Sequence, residues 1–219
     1  GIAAAEGLVV AVGQRGHIVV SRDQGRSWAQ ASVPVSSDLT AVRMVDAKVG
    51  YAAGHDGVVL GTRDGARTWT RLLDGGVLNT QVLEHMRNRS AAADATEQDR
   101  QLLAEAHRNQ ESGPDKPLLD LHFFDADEGL VVGAYGLALR TTNGGRSWTP
   151  WMERIDNPQL LNLYAVCAAQ GRVYIAGEAG LLLRLDSQAR RFRALASPYK
   201  GSFFGMAATP PRVLAYGMR

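Results

Sequence analysis

An apolar run, a Gly-x-x-Gly step and a second apolar run recur in this chain at an interval of about 41 residues. Each of the first three copies leads into a short turn of Asp or Asn, Gly and Ser/Thr that closes on tryptophan, and a fourth copy ends on phenylalanine. Within a copy the chain divides into short strands at about 8–12-residue spacing. Together these observations predict an all-β fold, a β-propeller of four-stranded antiparallel blades.

The glycine step is the first element of the argument. It appears as VVAVGQRGHIVV (9–20), GYAAGHDGVVLG (50–61), LVVGAYGLALR (130–140) and VYIAGEAGLLLR (173–184), with a fifth start at Val213–Gly217. The leading glycines fall at 13, 54, 133, 177 and 217, so the intervals are 41, 79, 44 and 40. One interval is therefore a single repeat carrying about 38 extra residues. The two residues between the glycines fit a tight hairpin loop. A dinucleotide fingerprint is excluded, because no glycine lies two residues before the step and no helix follows it. In the second unit the expected strands are 40–45, 49–54, 57–62 and 67–72. The first copy shows no clear innermost strand. Without the extra residues the chain holds about 4.4 repeats, whereas rings have about 4–8 blades. The expectation is a partial propeller over 1–219, a piece of a seven-bladed ring, with closure as a four- or five-bladed ring as the alternative.

The second element is the turn itself: SRDQGRSW (21–28), TRDGARTW (62–69), TTNGGRSW (141–148) and the decayed RLDSQARRF (184–192). Asp23, Asp64 and Asn143 can accept hydrogen bonds from turn amides, and Asp186 is the remaining acid in the fourth copy. Gly25 and Gly145 supply positive φ. Trp28, Trp69 and Trp148 are expected to pack large rings between neighbouring sheets. All these roles are structural.

The extra residues, about 78–112, differ in composition and read as a helical hairpin. Val82, Leu83 and Met86 share one helical face. Asp94 to Glu97 resembles a capping box, with Leu102, Leu103 and Ala106 following. In a meander blade the hairpin leaves the rim that also carries the turn residues Arg15, His55, Asp56, Tyr135 and Glu178. That rim is the candidate binding face. The hairpin's apolar stripe can either cover its own blades or dock a partner.

The turns resemble the Asp-box, or bacterial neuraminidase repeat. With the 41-residue period and the phrase GLVVGAYGLALRTTNGGRSW, the chain resembles the photosystem II stability/assembly factor family and its bacterial relatives. The resemblance implies a seven-bladed propeller without catalytic activity that binds a membrane-protein intermediate outside the cytoplasm, in the periplasm or an equivalent exported compartment. The helical hairpin departs from that family's pattern. Sialidases share the box, but their boxes stand away from the catalytic centre. A sialidase-type glycoside hydrolase and a carbohydrate-binding propeller are the alternatives.

Composition narrows the field. With 24 basic and 22 acidic side chains, the formal charge of +2 does not mark a nucleic-acid binder. The single cysteine excludes an intramolecular disulfide and a Cys-rich zinc site. No apolar stretch has the length of a membrane helix. The five histidines are dispersed, and there is no Gly-x-Ser-x-Gly elbow, Walker loop or His-Glu-x-x-His. The expectation is a scaffold with no catalytic, metal or cofactor residues that binds a protein partner, extending to an envelope or membrane complex.

Overall fold

A computed structural model describes residues 1–209 and 212–218. Four antiparallel meanders follow one another along the chain. The first contains β1 (Ile2–Ala5), β2 (Leu8–Val12), β3 (Ile18–Ser21) and β4 (Ala29–Gln30). The second contains β5 (Leu39–Met44), β6 (Gly50–Gly54), β7 (Val59–Thr62) and β8 (Thr70–Leu73). After helices α1 (Gly75–Ser90) and α2 (Glu97–Ser112) come β9 (Leu118–Phe123), β10 (Gly129–Gly133), β11 (Ala138–Thr141) and β12 (Thr149–Pro150). The fourth sheet is β13 (Leu163–Ala169), β14 (Arg172–Gly177), β15 (Leu182–Asp186) and β16 (Arg191–Ala194). A two-stranded sheet, β17 (Ser202–Thr209) and β18 (Arg212–Met218), ends the described chain. This is a β-propeller architecture. The first sheet does have an innermost strand. Ile2–Ala5 is mostly alanine and half exposed, so it carries almost no apolar signal.

The boxes explain why β3, β7 and β11 turn where they do. Ser21 Oγ accepts from Gly25 N–H at 2.7 Å and donates to Asp23 Oδ1 at 2.8 Å. Asp23 then accepts from the amide and hydroxyl of Ser27, at 2.9 and 2.5 Å. Thr62, Asp64 and Thr68 repeat the pattern. In the third box Asn143 Oδ1 accepts from Ser147 N–H, but its Nδ2 donates to Ser147 Oγ at 2.8 Å, reversing the last bond. Ser21, Thr62 and Thr141 are buried, so each hydroxyl is a fixed hub rather than an optional extra bond. Two consecutive residues have positive φ in each box: Gln24 and Gly25, Gly65 and Ala66, Gly144 and Gly145.

Asp186 stands apart from these. Arg184 occupies the place of the hub hydroxyl, and β15 runs on to pair Asp186 with Arg191 in a regular hairpin. Asp186 Oδ1 merely caps Gln188 and Ala189 N–H. The fourth copy has therefore lost the box geometry.

Each box tryptophan packs backwards. Trp69, of the second sheet, joins Leu8, Val10, Ile18 and Val20 of the first. Trp148, of the third, joins Tyr51 of the second, with Leu72 packed alongside and Phe123 edge-on at 6.3 Å. Trp69 and Trp148 are 4% and 6% exposed, whereas Trp28 is 45% exposed, against the expectation of burial. No sheet precedes the first among the described residues, so the indole has nothing to cover.

The hairpin is part of the packed interior. Leu78, Val82, Leu83 and Met86 of α1 and Leu102 and Ala106 of α2 share one buried cluster with Leu118, Val131 and Trp148. This decides the fate of its apolar stripe: the stripe covers the chain's own sheets and is not free to dock a partner. The capping differs from expectation. Asp74 caps α1 by accepting from Val77 N–H, and Thr96 with Asp99 forms the box at the start of α2. Asp94 instead pairs with Arg89 at 2.6 Å. Elsewhere the linker after one sheet bridges the next sheet, as in Ser32 with Thr68 of the second box and Ile155 with Phe192 of β16. Between the second and third sheets, α1 packs on β12 in that place.

Two outcomes follow for stability. Trp69→Ala and Trp148→Ala should each cost about 3–5 kcal/mol, and Trp28→Ala far less, as read by urea denaturation. Replacing 75–112 with a short Gly/Ser bridge should abolish the cooperative urea transition, because it strips one side of the largest buried cluster.

Candidate partner-binding rim

The turns between second and third strands all lie on one rim, opposite the boxes. Each is a tight hairpin with two left-handed residues: Arg15 and Gly16, Asp56 and Gly57, Tyr135 and Gly136, Ala179 and Gly180. The turn centre is thus one residue later than expected. A turn with both central residues at positive φ favours glycine at its second centre, and the trailing glycine of each step supplies it. A closing bond runs from His17 N–H to Gln14 O at 3.0 Å, with counterparts at Val58, Leu137 and Leu181. The leading glycines have a different task. A Cβ at Gly54, Gly133 or Gly177 would collide with the carbonyl of Asp38, Pro117 or Asn162.

Those contact points reveal ties that the repeat pattern did not disclose. Asp38 O accepts from His55 N–H of its own sheet at 2.8 Å, while Asp38 Oδ1 accepts from Arg15 N–H of the preceding sheet at 2.8 Å. Asn162 does the same work two sheets on, taking Glu178 N–H on its carbonyl and Tyr135 N–H on Oδ1. At the intervening position Pro117 has no acceptor side chain, and Gly57 N–H donates to Lys116 O instead. A short Asp or Asn just before an innermost strand was the available signal.

The five rim residues divide into two groups. Tyr135 and Glu178 meet at Asn162, whose own N–H donates to Glu178 Oε2 at 3.1 Å. They line an open groove of about 730 Å³ with Glu105 of α2, Asp115, Lys116 and Leu160. Lys116 Nζ lies 4.9 Å from the centre of the Tyr135 ring, which is 49% exposed. Arg15, His55 and Asp56 stand outside this groove. Arg15 and His55 are exposed, and the Asp56 carboxylate is occupied by Ser37 Oγ at 2.6 Å.

The inner strands enclose a second space, a central channel of about 590 Å³. Asp120 accepts there from Leu121 and Val166 N–H, both at 2.8 Å, tying β9 to β13. Burial outweighs those two bonds and raises its carboxyl to about 6. Burial, aided by Arg43, lowers His122 to about 4. Burial first, and the Asp120 charge second, push the Cys167 thiol up. Near neutral pH the channel thus holds an uncharged imidazole and a protonated thiol, and the thiol is not activated as a nucleophile. Among the described residues no three His, Cys, Asp or Glu side chains converge as a metal site, and no helix is long and apolar enough to cross a membrane.

Comparison with known proteins places this geometry. Residues 101–197 match the family described as photosynthesis system II assembly factor YCF48. The chain resembles photosystem II assembly factors. The chloroplastic photosystem II stability/assembly factor HCF136 of Oryza sativa subsp. japonica is 34% identical over 68 residues, 31% of this chain and 16% of that protein. The fold is shared with YCF48 bound to D1 peptide, at a TM-score of 0.61 and 11% identity over 98% of this chain and 59% of the other. YCF48 from Cyanidioschyzon merolae aligns at 0.60 and 12%, covering 98% and 62%. A GH74 xyloglucanase from Xanthomonas campestris aligns at 0.57 and 12%, covering 93% and 32%. The chain therefore spans about six-tenths of the YCF48 structures it matches.

The channel carboxyl yields a pH test. Asp120 binds its proton more tightly folded, at about 6, than unfolded, at about 3.9. Its contribution to stability is fully present below the unfolded value and is lost as pH rises through the folded one. His122, lowered to about 4 in the fold, contributes the opposite slope over the same range. Asp120→Asn should therefore make the urea midpoint rise more steeply between pH 4 and 6 than in the parent protein.

Proposed function

We propose that this protein is a non-catalytic scaffold that binds a protein partner along its turn rim, with the Tyr135–Glu178 groove as the main contact. The observation that carries this reading is the groove itself. Its turn amides are already tied to Asn162 and neighbouring carbonyls. The backbone is thereby held rigid, while the exposed Tyr135 ring and the Asp115 carboxylate face outward and the mostly covered Lys116 bridges them. Such a surface is ordered before binding, which lowers the entropic cost of association. The assembly-factor match over 101–197 includes Tyr135, Asn162 and Glu178. The YCF48 structure of the same fold, solved with D1 peptide, supports a peptide as the ligand. Assistance to an envelope or membrane complex outside the cytoplasm is the corresponding cellular reading.

The test places a photo-activatable aromatic residue at position 135 of the protein in its host, with position 26 on the opposite rim as control. Crosslinking to one membrane protein from position 135 only, weakened about tenfold by Lys116→Glu with Glu178→Lys, is expected; a contact residue at a binding centre has effects of that size. Equal crosslinking from both positions would sink the rim assignment. Turnover in a glycoside panel, abolished by replacing one carboxylate, would replace the scaffold with a hydrolase.

A further inference from the structure

The loss of the fourth box leaves a slot in the molecule. In the second and third sheets the box turn and its tryptophan fold back over the preceding sheet. Gly145 lies against Leu72, and Trp148 fills the space beside Tyr51, with Val45 packed on the same cluster. One repeat further on, the residues equivalent to Val45, Tyr51 and Leu72 are Phe124, Leu130 and Trp151. The hairpin β15–β16 is too narrow to reach over them, and Phe192 stands where the tryptophan would stand, fully buried beneath. Phe124, Leu130 and Trp151 now line an open, mainly apolar pocket of about 260 Å³ between the third and fourth sheets, with Phe192 as part of its wall.

We propose that this pocket receives an aromatic side chain of a partner peptide, flanked by an acidic residue. The occupant's shape is argued from what is missing. One interface earlier a box turn and the larger indole of Trp148 fill the space against Tyr51 and Leu72. Here the smaller ring of Phe192 stands in the indole's place and no turn covers it. A volume of about 260 Å³ is below the range of roughly 300–1,000 Å³ usual for whole small-molecule ligands. It suits a single side chain. The charge preference comes from the mouth. Arg140 and Arg190 both line it against one carboxylate, Glu128, which Arg140 already engages at 2.7 Å. Arg190, on the exposed hairpin loop, is left to meet an acid. Phe124, 42% exposed, is the open aromatic of the lining, while Trp151 is 7% exposed, with the guanidinium groups of Arg140 and Arg154 at 5.2 and 5.5 Å from its ring. The pocket opens on the box rim, opposite the groove of Tyr135, so it is a second contact for the same class of partner and rests on the scaffold reading.

Backbone-amide NMR titration of the full chain tests it with defined peptides. Acetyl-Asp-Trp-Asp-amide should shift the amides of Phe124, Leu130 and Ser187, and acetyl-Asp-Ala-Asp-amide should not. Acetyl-Lys-Trp-Lys-amide should bind more weakly. Ser187→Trp, which offers the slot an indole from the protein's own loop, and Arg190→Glu should each weaken the first peptide about tenfold, the scale of losing a central anchor. Both positions are exposed, and an unchanged near-UV spectrum verifies the fold. Tyr135→Ala should leave the titration unchanged. Equal shifts from the tryptophan and alanine peptides would overturn the proposal. So would shifts outside the slot, shifts from a xyloglucan oligosaccharide alone, or indifference to both variants. Loss of the slot with position-135 crosslinking intact would remove this contact and keep the scaffold.

Discussion

Each sheet after the first buries a face against the sheet before it, and in two of those interfaces the committing side chain is an indole at the end of a box turn. Such a ring removes about 150–250 Å² from water, worth roughly 4–6 kcal/mol as an upper figure. The ring is useful only if the turn aims it backwards, and the turn is aimed by a buried hydroxyl, an acceptor two residues on and two left-handed residues. The hydroxyl hub, the positive φ pair and the indole therefore form one device. Trp28 shows the device without its substrate: the turn at 21–28 is fully formed, its ring is exposed, and Nε1 folds back to donate to Gly25 O.

The repeat was legible because it consists of residue types that few other structures demand at fixed spacing. Glycine at both ends of the step, acid and hydroxyl in the box, and tryptophan after it each answer one steric or hydrogen-bonding need. Legibility ended where chemistry became generic. The strand Ile2–Ala5 is a run of small residues whose pairing only the neighbouring β2 defines. The sequence points to Asp94 as the start of α2, and the fold uses Thr96 because Asp99 returns the bond while Arg89 holds Asp94. The rim residues were visible as turn positions, yet their grouping was not. Asn162 gathers Tyr135 and Glu178 through contacts 27 and 16 residues apart in sequence, which no local pattern encodes.

The helical hairpin shows how an insertion can become interior. Where other sheets are joined by a short linker that bridges the next sheet, this junction substitutes α1 and α2, whose apolar faces close over the second and third sheets. A polar contact ties it to the next linker: Gln98 donates to Ile155 O at 2.8 Å. The helices thus brace the wall of the groove that Glu105 helps to line.

The amide in the third box has a consequence on the timescale of protein ageing. Asn143 is followed by Gly144, and an Asn-Gly pair is chemically exposed, because the unhindered glycine nitrogen can attack the side-chain amide and expel ammonia. At most sites the resulting charge is a lesion. Here opening of the resulting cyclic imide to isoaspartate, the major product, would lengthen the backbone and break the turn, whereas opening to aspartate would install the acid that the first two boxes already carry in the same place. Ser147 would need only to rotate its hydroxyl and donate, as Ser27 and Thr68 do. One branch of this wear thus restores the box consensus and the other destroys the turn.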